Sequence, residues 1–243
     1  MSKTQFATKR LQIDVKVYKS FIGKNHKLMQ RLLSGRENNV QLDTPRLPIS
    51  PKQLMEVRLG ISGKEGDQTY LRKHFVDTNT AVLSNPSGEE VKYSPKHPLI
   101  YGLNEKTKLV DGILPITQDQ YEISKGFVLN AEQAKALRNN LCGLPSVRRK
   151  FWEFAAEGDT KLADDYIKDV EKRTRMKFNN IMGLYLPSIK GLSLLSVDGI
   201  DDDYRSDASG DDYLGDDGGC LVGVAAEPQE VSAKLLSLET RVQ

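Results

Sequence analysis

The chain has 243 residues, 38% of them hydrophobic and 28% charged, with a formal net charge of +2. That length suits one large domain or two small ones, and the composition is globular rather than disordered or collagen-like. Two cysteines, Cys142 and Cys220, are too few for a disulfide framework or a zinc set, and no apolar run approaches the ~20 residues of a bilayer span.

The near-neutral total hides a polarised chain. Met1 to Arg36 carries nine Lys and Arg against one acid, Asp14, a local charge of +8. No apolar stretch of signal-peptide type follows this basic start, so the expected location is the cytoplasm or a particle assembled there. Residues 10–18 alternate Leu11, Ile13, Val15 and Val17 with polar partners, the period of a half-buried strand. Asn25 is placed to cap a helix whose stripe is Leu28, Met29, Leu32 and Leu33 and whose stop is Gly35. Lys9, Arg10, Lys16, Lys19, Lys24, Lys27 and Arg31, with Tyr18 and Phe21 among them, form a candidate nucleic-acid surface. Charge density of this kind neutralises phosphates without reading bases, so such binding is non-specific. The alternative is a docking surface for an acidic protein.

Residues 43–51 hold three prolines and read as an extended connector. Met55, Val57, Leu59 and Ile61 alternate, which predicts a second strand. Gly60, Gly63 and Gly66 then suggest a turn into a third strand around Thr69–Val76. A loop at 84–90 leads to a short strand near Val91–Tyr93, and Pro95 and Pro98 open another connector. Asp111-Gly112, between Leu109-Val110 and Ile113-Leu114, is a hairpin signal, because both central turn positions need positive φ.

The pattern turns helical at Asn130. Asn130 and Gln133 form a capping box, with Ala134, Leu137 and Leu141 on one face. Ser146 is expected to cap the next helix, with Val147, Phe151, Phe154 and Ala155 as its stripe. Asp159 is expected to cap a long one, from Thr160 to Met182, with Leu162, Ala163, Tyr166, Ile167, Val170 and Ile181 inside. Arg148, Arg149 and Lys150 adjoin Phe151 and Trp152. Bases beside aromatics bind phosphates and stack nucleobases, although a packed Phe151 and Phe154 under a solvated basic face explains the same residues. At a helix start these bases oppose the dipole, which invites an anion or an acidic neighbour.

Leu192, Leu194, Leu195 and Val197 predict a buried strand that delivers the chain into a tract from Asp198 to Asp217. The tract holds nine Asp and one base, Arg205, a local charge of −8. Such a run is a solvated loop, a competitor for a basic surface, or a cation site. No EF-hand register fits it: from Asp201, Arg205 and Ser206 fall on key places, and from Asp207 the glycine and glutamate places hold Asp212 and Gly218. Asp198, Asp201 and Asp203 at a strand end are a candidate divalent-cation site of the kind that holds phosphate oxygens. Acids at a strand end are also ordinary turn residues. Two Gly-Asp-Asp triplets in the tract are discounted, since the chain is short for a polymerase. After a weak strand at 220–226, Val231, Leu235, Leu238 and Val242 lie on one helical seam, a candidate protein-docking element.

The expectation is an α+β protein with a β-rich N-terminal half and long connectors, a helical segment at about 130–182, an acidic loop and a C-terminal helix. Its three segments are residues 1–128, 129–197 and 198–243. His26, His74 and His97 have no metal-ligand companions nearby in sequence, and no phosphate loop or nucleophile elbow occurs. The favoured function is a non-catalytic structural or adaptor subunit of a large viral or nucleoprotein-type assembly, with other protein subunits as partners, no membrane and no cofactor. The alternatives are a non-specific nucleic-acid-binding protein with a competing acidic segment, and a metal-dependent phosphoryl-transfer enzyme built on the Asp cluster.

Overall fold

The computed structural model describes residues 22–37, 40–41, 46–63, 65–201, 205–215 and 219–225. The strand expected over 10–18, the residues Lys9, Arg10, Lys16, Lys19 and Asp203, and the seam of Val231, Leu235, Leu238 and Val242 lie outside them. The fold is α+β.

The first described strand, β1, is Ile22–Gly23, and helix α1 is Asn25–Ser34. Leu28, Met29, Leu32 and Leu33 bury the expected stripe, and Gly35, at φ 63°, closes the helix with its N–H on Arg31 and Leu32 carbonyls. Short strands β2 (Arg36–Glu37) and β3 (Val40–Gln41) pair with each other, and β4 (Arg46–Pro48) follows.

Met55 to Ile61 is not a strand. Helix α2, Pro51–Arg58, starts from a Ser50–Gln53 capping box with Pro51 at its first position, and buries Leu54, Met55, Val57 and Arg58. Those positions fit a 3.6-residue period, and the alternation of Met55, Val57 and Leu59 is its by-product. The third expected strand, around Thr69–Val76, is also mostly helix: α3 spans Glu65–Lys73, and strand β5 runs Val76–Ser84. Strand β6 (Val91–Pro95), helices α4 (Pro98–Tyr101) and α5 (Gln118–Ile123), and strand β7 (Phe127–Leu129) complete this half. The expected turn is present. Asp111 and Gly112 have φ of 49° and 81°, and Val110 and Ile113 exchange backbone hydrogen bonds of 2.9 and 3.0 Å.

Helices α6 (Ala131–Asn139), α7 (Pro145–Ala155) and α8 (Thr160–Thr174) form the helical segment. Asn130 and Asp159 cap as expected. Two details differ. Leu144 rather than Ser146 stands at the start of α7, because Pro145 occupies its first turn. The long helix stops at Thr174 rather than Met182, where Arg175 turns left-handed at φ 57°. Strands β8 (Leu184–Tyr185), β9 (Gly191–Val197), β10 (Ala208–Asp212), β11 (Gly219–Cys220) and β12 (Gly223–Ala225) follow.

Six strands share one sheet in the order β7-β6-β5-β9-β10-β8, antiparallel except for the β10–β8 pair. β5 and β9 lie at its centre, and every residue of both is buried. One face packs α2, α3, α7 and α8 through Leu54, Phe151, Trp152, Tyr166 and Val170. The other packs α1, α4, α5 through Tyr121, and the segments that carry Leu103, Leu214 and Leu221. The acidic tract therefore re-enters the fold: from Ala208 it is a strand of the main sheet.

Candidate functional site

The tract leaves β9 against the end of α3. Ile200 and Asp201 donate backbone N–H groups to the Arg72 carbonyl at 2.6 and 3.1 Å. A side chain on Gly199 would meet that same carbonyl at 2.7 Å, so glycine permits the approach. Asp201 Oδ1 lies 3.4 Å from Arg173 Nη1, and Arg173 Nε lies 2.8 Å from Asp169 Oδ2. Arg72 reaches the same Asp169 oxygen at 3.8 Å.

From 205 to 215 the tract is tied to the core by its own side chains, which a solvated loop does not require. Ser206, buried and at φ 53°, shares a 2.7 Å hydrogen bond with the Tyr166 hydroxyl. That hydroxyl accepts from Arg58 Nη1 at 2.7 Å. Asp207 Oδ1 accepts the Gly183 N–H at 2.5 Å, and Asp211 Oδ1 accepts the Ser188 N–H at 3.0 Å. Burial pushes both carboxyls above their ordinary range, against the pull of these N–H groups and of Arg205, Arg148 and Arg138.

The far end of the tract meets the root of the basic segment. β1 pairs antiparallel with β11, Ile22 opposite Cys220 and Gly23 opposite Gly219. The next residues are locked down. Asn25 donates Nδ2–H to Asp77 Oδ2 at 3.0 Å, in the buried centre of the fold. His26 places its backbone N–H and Nδ1 on the Leu214 carbonyl, at 3.2 and 2.7 Å. Lys24, Lys27 and Arg31 are half-buried along α1. Residues 1–21, where Lys9, Arg10, Lys16 and Lys19 fall, thus precede a strand paired with the one that follows the acidic tract.

The second basic candidate divides. Arg148 is fully buried, and this corrects its assignment to a phosphate-binding surface. Its donors reach the carbonyls of Gly143 and Cys142 at 2.9 and 2.8 Å, and those of Phe178, Ile181 and Met182 at 3.0, 2.8 and 3.3 Å. Its guanidinium also stacks on the Phe178 ring. It joins the loop before α7 to the loop after α8. Arg149 pairs with Glu153 and Asp164, the acidic neighbour that the helix dipole invites, and Lys150 is exposed. Trp152 is core, its indole N–H on the Met182 carbonyl at 3.1 Å.

Of the metal candidates, Asp198 and Asp201 are described, and Asp201 is engaged with Arg173. Among the described residues no group of three or more His, Cys, Asp or Glu side chains is placed to hold a metal ion. A cleft of about 750 Å³ opens between the end of β6 and α5, walled by Lys96, Ile123 and Lys125 and floored by His97 and Ser124. His97 Nδ1 accepts the Leu99 N–H at 3.3 Å, so its proton lies on Nε2 and is donated to Ser124 Oγ at 2.8 Å. Ser124 Oγ donates in turn to the Gln120 carbonyl at 2.6 Å. Each proton runs the wrong way for a histidine to activate a serine, and the pair is a strut between the walls.

Arg58, Asp77 and Arg72 carry no signal in the sequence, and Arg173 reads there only as a base that complements the end of a helix dipole. Their significance lies in partners from distant segments, and no local spacing announces them. None of the described helices is long and apolar enough to cross a membrane. Set against protein-family models, curated proteins and solved structures, the chain matches none of them.

Proposed function

We propose that this protein is a non-catalytic subunit of a nucleoprotein-type assembly, which contacts nucleic acid non-specifically through its basic N-terminal segment. Its own acidic tract competes for that segment. The observation that supports this reading is the pairing of β1 with β11, reinforced by His26 on Leu214: a strand within the +8 segment lies against the strand that follows the −8 tract. Exposed charges attract weakly pair by pair, so the competition is collective and salt-sensitive. Docking to other subunits through Val231, Leu235, Leu238 and Val242 belongs to the same proposal.

The test removes each side in turn. Changing Lys9, Arg10, Lys16 and Lys19 to Ala should weaken binding to all sequences alike and flatten its salt dependence, because fewer counterions are released. Changing Asp202, Asp203, Asp216 and Asp217 to Asn, while sparing the sheet-holding Asp207 and Asp211, should tighten binding at low salt, with the gain fading as salt rises. A sequence preference that survives high salt overturns the proposal.

A further inference from the structure

Arg72 and Arg173 converge from the last turns of two helices, α3 and α8. Helix C-termini favour cations there, yet two guanidinium groups that share one carboxylate also repel each other. Burial first, and the charge of Arg173 next, hold the Arg72 guanidinium below its ordinary pKa, so both work against its charged form. Two acids answer these two bases. Asp169 is fixed on α8, one turn from Arg173, and touches both arginines. Asp201 is different. It makes a single 3.4 Å contact to Arg173 Nη1, its side chain is 27% exposed, and it stands at the mouth of the acidic tract rather than on a helix. Paired guanidinium forks are the usual protein answer to a tetrahedral oxyanion, since each offers parallel N–H donors.

We propose that Arg72 and Arg173 form a phosphate-binding site that the chain's own Asp201 carboxylate occupies as a stand-in. An incoming phosphate group displaces Asp201 and lifts the start of the acidic tract from the α3–α8 corner. This deepens the proposed function, since a nucleic-acid backbone is one source of phosphate, but the site itself does not depend on that source. A free phosphate compound is the other.

The experiment is a calorimetric titration at low salt, with inorganic pyrophosphate and with a mixed-sequence oligonucleotide as separate probes. Asp201→Asn and, as a second variant, Asp201→Ser should bind pyrophosphate about three- to fivefold more tightly than the parent, the scale of a partly exposed ion pair. Adding Arg173→Gln to either should abolish the gain. Lys161→Gln, which removes a charge from the other end of α8, should leave it unchanged. Equal pyrophosphate affinity in the parent and both Asp201 variants overturns the inference, and so does a gain that survives Arg173→Gln. A gain for pyrophosphate with no oligonucleotide binding in any variant supports the site and removes the nucleic-acid reading. Oligonucleotide binding that depends on Lys9, Arg10, Lys16 and Lys19 but ignores Asp201 in both titrations does the reverse.

Discussion

His26 grips Leu214 twice: its backbone N–H and its ring Nδ1 both point at the same carbonyl oxygen, at 3.2 and 2.7 Å. A carbonyl only accepts, so the ring proton lies on Nδ1. The two residues stand 188 positions apart, and this contact closes the chain between them into one loop and joins the basic segment to the acidic tract.

Replacing His26 with Ala leaves the backbone bond and removes the ring bond, a loss of about 1 kcal/mol. The expected outcome is faster amide exchange at Gly215 and stronger polyanion binding at low salt. Unchanged exchange at Gly215 would show that the ring bond does not hold the tract.

Arg148 and Arg58 are expected to be intolerant for reasons of satisfaction rather than charge. Arg58, itself fully buried, donates to the carbonyls of Leu71, His74 and Val197 and to the Tyr166 hydroxyl. Arg148→Lys cannot reach five carbonyls from one ammonium, and leaving two or more unpaired costs roughly 2–4 kcal/mol. Lys150→Ala, on the exposed face next door, should change stability by no more than about 0.5 kcal/mol. Chemical denaturation of the two variants side by side decides this; equal midpoints would refute it.

Asp207 gives a pH signature. Burial raises its carboxyl above the ordinary value, so the folded state binds the proton more tightly than the unfolded chain. Its stabilising contribution is therefore complete below the unfolded value of about 3.9 and is lost as pH rises through the raised folded value. Asp207→Asn keeps an oxygen for the Gly183 N–H and cannot ionise. At pH 7 the variant should be at least as stable as the parent, and the parent should recover ground on acidification towards pH 4. Unfolding midpoints at the two pH values check the sign.

Gly126→Ala should disturb the sheet edge, because a Cβ at that position would collide with the Tyr93 carbonyl, which is backbone and cannot yield cheaply. Strand β7 pairs with β6 through Phe127 opposite Tyr93, the next residue along. A destabilisation of about 1–3 kcal/mol is expected, with exchange at Val128 and Leu129 rising first. A wild-type melting temperature would contradict it.

Much of this molecule is written locally in its sequence. Asn130 with Gln133 and Asp159 mark helix starts, Gly35 a helix end, Asp111-Gly112 a turn, and Leu192 to Val197 a buried strand, because caps, turns and periodicity act within a few residues. Helix α2 is legible in the same terms: Ser50-Pro51 with Gln53 is a helix start, and it outweighs an accidental alternation. Strand β5 was not legible in that way. Its first half, Val76-Asp77-Thr78-Asn79-Thr80, looks like solvent-facing turn chemistry, and it is buried because Asn25 and Leu195 reach its polar groups from elsewhere. Arg148 follows the same rule, since three of its carbonyl partners lie about 30 residues beyond it. Sequence also determined the two opposed charge blocks, but not that a strand within one would pair with the strand that follows the other, nor that Asp201 would set its carboxylate against Arg173 and its backbone N–H on the Arg72 carbonyl. Burying a polar or charged group is tolerable only once distant partners satisfy it, and tertiary structure alone decides which partners arrive.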